Sequence, residues 1–459
     1  MGTVNTAADN VYHVVTGSNT SNTTIFDGFT ISGGNANGTG TNQGAGGGIF
    51  ISDGSPIFRN LVFESNNATN GGGLYNLTGA NPLLTNITFR NNTASNGGAI
   101  YNSSSNPTLT DVTFTNNTVT GGGGGAIYNT SSTSTLTNAI FTTNTASSGG
   151  AILNTGSNIT LNNATFTSNA AGNVGGAIYN TGSNTTLNNA TFSSNTATSD
   201  GGAIYNTSSS FTLKDGTFNN NTASSDGGAI FSTGGTFNLT GADFVQNRAT
   251  ADLGGAVFLQ TTGATITQAD FLQNRSANGG AIYNNSNNVS VTNANFTLNI
   301  ADAAGSVGGA IYNQNSNNLQ VTNAAFSRNN ATASGGAIYQ LNQGVGLITT
   351  TITNSTFSGN SAASGSALHQ QSSSPNNNGY SINNNLRNSI IWGNGGSAIV
   401  NNGNGFSTTT VTNSIVQGGF TGTGNLNVDP LFVDAINDDL RLQSGSPAIN
   451  AGSNASLPA

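Results

Sequence analysis

The chain has 459 residues, of which only 5% are charged, and its formal net charge is −8. A typical globular protein carries about 25% charged residues, so solubility here rests on neutral amides and hydroxyls. Eight scattered Lys and Arg exclude a basic nucleic-acid surface, the lack of cysteine excludes disulfides and thiolate metal sites, and no 18-residue apolar run offers a transmembrane helix.

Taken from the start, Met1-Gly2-Thr3-Val4-Asn5 carries neither the basic nor the apolar run of a secretory signal. Residues 1–45 read as an opening coil, and from residue 46 to 360 a repeat takes over. Its first motif, Gly-Gly-(Ala/Gly)-(Ile/Leu/Val), starts at Gly46, Gly71, Gly97, Gly124, Gly149, Gly175, Gly201, Gly227, Gly254, Gly279, Gly308 and Gly335. Its second, Phe-x-x-Asn, alternates with the first from Phe63 to Phe357, mostly at spacings of 25 to 27 residues. Self-similarity on such a period is the mark of a solenoid.

A third column, mostly Leu, Ile or Val, stands five residues before each Phe, from Phe58 and Leu84 to Ile352. Residues five apart on a flat strand face opposite ways, so two apolar columns at that spacing require a bend between them. Asn86, Asp111, Asn138, Asn163, Asn189, Asp215, Gly241, Gln268, Asn293, Asn323 and Asn354 supply it two residues after the Leu column. Asn, Asp and Gly tolerate the left-handed conformation that a corner needs. The expectation is an all-β, right-handed parallel β-helix of about 26 residues per coil, with three short strands per coil and roughly 14 coils, some 65 Å long.

In that arrangement like residues stack on like. The Asn of Phe-x-x-Asn (Asn66, Asn92, Asn117, Asn144, Asn169, Asn195, Asn221, Asn247, Asn274, Asn299, Asn329 and Asn360) is expected to form an amide ladder. The Tyr after the aliphatic position, as at Tyr75 and Tyr312, forms a column whose face the pattern leaves open. Length variation falls between Phe-x-x-Asn and the next Gly-Gly, as at Asn117–Gly124 and Asn299–Gly308, and so loads one edge of the solenoid. Residues 361–424 hold degenerate coils, with Ser366-Ala367-Leu368 and Ile391-Trp392-Gly393-Asn394 as worn copies of the two motifs. Residues 425–459 read as a closing segment with Pro430, Pro447 and the pair Asp438-Asp439.

Alternating Gly-Gly-Ala-Ile and Phe-x-x-Asn resembles the repeat of the chlamydial polymorphic outer membrane proteins and of many bacterial surface β-helix proteins. The stretch Asp27-Gly28-Phe29-Thr30-Ile31-Ser32-Gly33-Gly34-Asn35 is similar to the opening coil of bacterial right-handed β-helix proteins of the choice-of-anchor type. Asn427-Val428-Asp429-Pro430-Leu431-Phe432 and Gly445-Ser446-Pro447-Ala448-Ile449-Asn450-Ala451-Gly452 resemble their closing segment. The resemblance implies export and display at a bacterial cell surface as part of a longer precursor, with the chain stopping at Leu457-Pro458-Ala459 short of an anchor. Nothing in the sequence resembles the translocating C-terminal barrel of the chlamydial proteins, so the resemblance does not extend to autotransport.

Parallel β-helices also carry polysaccharide lyases and hydrolases, whose chemistry needs carboxylates converging on a groove. Asp243 and Asp270 align one coil apart, as do Arg248 and Arg275, which makes a surface constellation that weak ion pairing also explains. Asp200, Asp226 and Asp252 recur at a corner and are the candidates for a Ca²⁺ site. Asn70, Asn96 and Asn278 fill that corner elsewhere, which suits turn chemistry equally. The two histidines, His13 and His369, have no visible Ser and Asp partners. The sequence therefore predicts no catalytic residue and no obligatory cofactor. It points to an extracellular structural element acting as stalk, adhesin or fibre subunit stacked end to end through open strand edges. The alternative is a β-helix that binds or cleaves polysaccharide.

Overall fold

In a computed structural model, residues 11–344, 346–372, 380–402 and 407–454 are described; Met1–Asn5 and Leu457–Ala459 lie outside them. The chain forms two compact units, Met1–Ser224 and Ser225–Ala459. Each is a parallel β-helix whose coils contribute short strands to three faces.

In the first unit the first face holds eight strands, among them Leu74–Leu77, Ile100–Ser103 and Ile127–Thr130. They pair in parallel and in register, Ile100 on Ile127 and Asn102 on Asn129. The second face carries the Leu and Phe columns, Leu84 on Leu109 and Phe89 on Phe114. The third is built from segments as short as Thr196–Ala197. The second unit repeats the plan with seven first-face strands, from Ile230–Thr233 to Ile399–Asn402. Leu239 there pairs with Ile266, and Phe244 with Phe271.

Burial explains the pattern. Phe89, Phe114, Phe141 and Phe166 are fully buried, and successive rings stack at 4.6 to 5.1 Å. Each such side chain contributes about 1.5–3 kcal/mol by leaving water. The bend after the Leu column is where the sequence puts it: Asn138, Asn163 and Asn189 have φ of 54°, 52° and 53°. A second corner, two residues after each Phe, is also left-handed, and it is filled by residues as unlike as Ser65, Thr143, Leu298 and Arg328.

The double glycine has two separate causes. Gly149 opens its motif at φ +58°. Gly150 faces its neighbour so closely that a Cβ would lie 2.1 Å from the Gly176 carbonyl oxygen. One glycine turns the chain, and the other lets two coils approach.

The closing segment leaves the coil plan. Backbone from Thr423 to Leu426 lies on the edge of Val411–Val416, with Leu426 N donating to Ser414 O at 2.8 Å. Phe432–Asp434 then pairs antiparallel with Asp439–Leu442 across a short 3-10 turn at Ala435–Asn437.

Candidate functional site

The interior is polar by design at three columns. Asn92 shows the first: its Nδ2 donates to Phe63 O in the coil before and to Asn117 Oδ1 in the coil after, at 2.9 and 3.0 Å. Its own Oδ1 accepts from the backbone N and Nδ2 of Asn66, both at 3.1 Å. The expected ladder from Asn66 to Asn360 thus forms within each unit, and in the second it runs on to Asn394. A buried amide is costly unless bonded, and here each bridges three coils. A second buried ladder runs from Asn76 through Asn102, Asn129 and Asn154 to Asn180, with bonds of 2.6 to 2.7 Å. The Asn two residues after each aliphatic position would have revealed it. A third column is made of hydroxyls: Ser132 Oγ accepts from Ser105 N at 3.1 Å and donates to Thr130 O at 2.9 Å.

Strand alternation between the buried Ile100 and Asn102 turns Tyr101 outward. In the first unit His13, Phe50, Tyr75, Tyr101 and Tyr128 stack along the outside of the first face at centroid distances of 4.8 to 5.8 Å. In the second unit Phe231, Phe258, Tyr283, Tyr312, Tyr339 and His369 form a like column at 4.6 to 5.5 Å, in which Tyr312 stands edge-on to Tyr283 and Tyr339. Phe258, Tyr283, Tyr312, Tyr339 and Leu341 form a satellite core, packed by Leu253 and Val307 from the edge that carries the insertions. Burial and the neighbouring rings Tyr128 and Tyr75 push the Tyr101 hydroxyl up to about 12. Burial, with Asp226 and Asp252 nearby, does the same to Tyr283. In the first unit the Tyr75, Tyr101 and Tyr128 rings lie face to face, so their faces are largely used up within the stack. Both histidines are members of these stacks: His13 Nδ1 also lies 3.0 Å from Gly46 O, and His369 Nε2 3.3 Å from Asn402 Nδ2.

The acidic candidates take part in local turns. Asp200 belongs to the first unit, where Oδ2 accepts from Ser199 Oγ at 3.0 Å. Asp226 and Asp252 belong to the second. Asp226 Oδ1 accepts from Leu253 N at 2.9 Å, the bond that Asn278 Oδ1 makes with Val307 N at 3.0 Å. Carboxylate and amide thus do the same turn work at this corner. Among the described residues no group of three or more His, Cys, Asp or Glu is placed to hold a metal.

Asp243 and Asp270 stand in register, as do Arg248 and Arg275. Arg275 reaches forward to Asp302 in the next coil, and Asp270 Oδ1 accepts from Asn295 Nδ2 at 2.7 Å. Burial, and then the Asp270 charge, holds the Asp243 carboxyl above the usual range.

Asp270 also lines a cleft of about 620 Å³ in the second unit, between the second face and the closing segment. Its floor is one outward column, in which Asp270 pairs with Asn295, Asn295 with Ala325 and Ala325 with Thr356. Its roof is Asp438, Asp439, Leu440 and Arg441. Arg328 clamps that roof, Nε to Asp438 Oδ1 at 2.8 Å, with its guanidinium also paired to Oδ2 and Ser327 bonding the same carboxylate. Asp439 is held by Arg441 at 2.6 and 2.7 Å, which keeps its carboxyl below the ordinary range. Asp438-Asp439 is thus both turn and clamp. The cleft was not visible in the sequence, because Arg328 and Asp438 are 110 residues apart.

A family model described as a right handed beta helix region matches residues 13–192 and 99–275. No curated protein and no solved structure matches the chain.

Proposed function

The chain belongs to the right handed beta helix family, and from that premise we propose that it is a structural element displayed outside a bacterial cell, a stalk or adhesin body without catalytic function. The observation that carries this reading is the filled interior, packed with stacked rings and a continuous amide ladder in each unit. The Phe-x-x-Asn amide ladder and the Phe stack recur coil after coil in each unit. Such a section gives length and resistance to unfolding at low sequence cost, because every coil templates the next. A chain with only 5% charged residues, soluble through neutral amides and hydroxyls, is compatible with placement outside the cell. The likeness of the repeat and of both ends to choice-of-anchor and chlamydial surface proteins supports the same placement. Fibre formation has less support on one side, since Thr423–Leu426 covers the edge of the last second-face strands.

Protease shaving of intact source cells, followed by peptide mapping, tests the placement. Release of peptides from the repeats without cell lysis is the expected outcome. Protection of the whole chain until the cells are broken overturns it.

A further inference from the structure

We propose that the cleft under the closing hairpin of Ser225–Ala459 is a binding site for a neutral saccharide. Its volume, about 620 Å³, lies in the range of small-ligand sites. The cavity has a definite origin. In the floor column, Asn295 and Thr356 flank Ala325, the one position cut back to a methyl group. A notch therefore opens beneath Leu440, while Thr356 and the buried Ser327 close the inner end.

The lining matches a polyol. Adjacent coils place side chains about 4.8 Å apart along a column, and alternate residues of one strand about 6.7 Å apart. The floor is thus a grid of amides and hydroxyls, with Asn295, Thr297, Asn323 and Thr356 facing the space. Ring hydroxyls both donate and accept, and Asn and Thr do likewise. Leu272 and Leu440 add apolar surface for the C–H face of a sugar ring.

Charge selects among sugars. Arg328 neutralises Asp438, and Arg441 neutralises Asp439. Asp270 is the lining carboxylate without an ion-pair partner among the described residues, exposed at the end of the floor column, with Asn295 Nδ2 bonded to it. An acidic sugar would approach against that charge. A neutral one gains a strong acceptor. The site stands on the second face, away from the edge that carries the insertions, and it needs no catalytic group.

The test is titration calorimetry of the full chain with hexamers of β-1,4-glucose, α-1,4-glucose, β-1,4-mannose and N-acetylglucosamine, and with the galacturonic acid hexamer. At least one neutral hexamer should bind one to one, and the galacturonate should not. Ala325→Phe, which fills the notch, should weaken binding at least tenfold. Thr165→Phe, at the same column position in the first unit, should leave it unchanged. Asn295→Ala, at an exposed position that does not endanger folding, should weaken it several-fold. The proposal is overturned if no neutral hexamer binds, if galacturonate binds instead, or if both cleft variants bind as the parent does.

Discussion

Asn169 reaches Asn195 twice: its backbone N and its side-chain Nδ2 both donate to the Asn195 Oδ1, each at 3.0 Å. The same Nδ2 also donates to the carbonyl oxygen of Phe141 at 3.0 Å, and Asn169 Oδ1 receives two bonds from Asn144. One fully buried side chain therefore holds three coils in register.

Asn169→Ala should accordingly cost about 3 kcal/mol or more, because it strips partners from buried groups on both sides. Asn163→Gly, at an exposed left-handed corner with φ 52°, should change stability by no more than about 0.5 kcal/mol. Urea denaturation of the two variants checks the contrast. Equal midpoints would show that the ladder does not hold the coils.

The glycine pair gives a second contrast. Gly150→Ala forces a Cβ against the backbone oxygens of Gly176 and Ala170, 2.1 and 2.6 Å away. Those atoms cannot move without shifting a coil, so a loss of about 3 kcal/mol or more is expected. Gly156 has φ +54° with nothing within 4 Å of a Cβ, and Gly156→Asn should cost less than about 0.5 kcal/mol. Thermal melting followed by circular dichroism distinguishes them.

His369 is buried against Tyr339, and desolvation by that burial pulls its pKa below the ordinary 6.5. Above pH 6.5 the ring is neutral in folded and unfolded chains alike, and it contributes no pH dependence. As pH falls through 6.5 the unfolded chain gains a proton that the folded one refuses, so stability drops until the folded value is passed. Melting temperatures between pH 8 and 5 should fall for the parent and fall less for His369→Phe. Parallel curves would refute the assignment.

Asp243 carries the opposite sign. Its folded pKa is raised, by burial first and by Asp270 second, so its charge costs stability at neutral pH and the cost vanishes on acidification. The group is mostly exposed and screened, so Asp243→Asn should gain only a few tenths of a kcal/mol at pH 7. The gain should shrink to nothing as the pH is taken below the carboxylate range. Paired denaturation curves at the two pH values measure it.

Much of this was legible because like residues stack on like. The Phe and Leu columns, the corner at Asn163 and the ladder from Asn66 to Asn360 follow from spacing alone. The second ladder from Asn76 to Asn180 was equally visible, since period two places Asn beside Ile on the buried face. The corner at Thr143, Leu298 and Arg328 was not, because the fold imposes a left-handed backbone there on residues that do not prefer it. The outward face of Tyr101 needed the buried Asn102 to fix the alternation. The cleft rests on a contact between Arg328 and Asp438, and no periodicity reports such a pair.

The amide ladders also have a direction. In each unit the Asn of Phe-x-x-Asn gives its backbone N–H and one Nδ2 hydrogen to the Oδ1 of the following coil and offers its own Oδ1 to the preceding one. Its other Nδ2 hydrogen goes back to a Phe carbonyl. The exposed corner runs the other way, with Asn86 donating back to Asn60 and Asn163 back to Asn138. Along the Phe-x-x-Asn ladder the side-chain oxygens point to earlier coils, so it has an oxygen end at its earlier coils and an N–H end at its later ones. A second copy that extended the interior stack would have to present oxygen to N–H. Like ends would repel, and the sense of any assembly is written into the orientation of a neutral side chain.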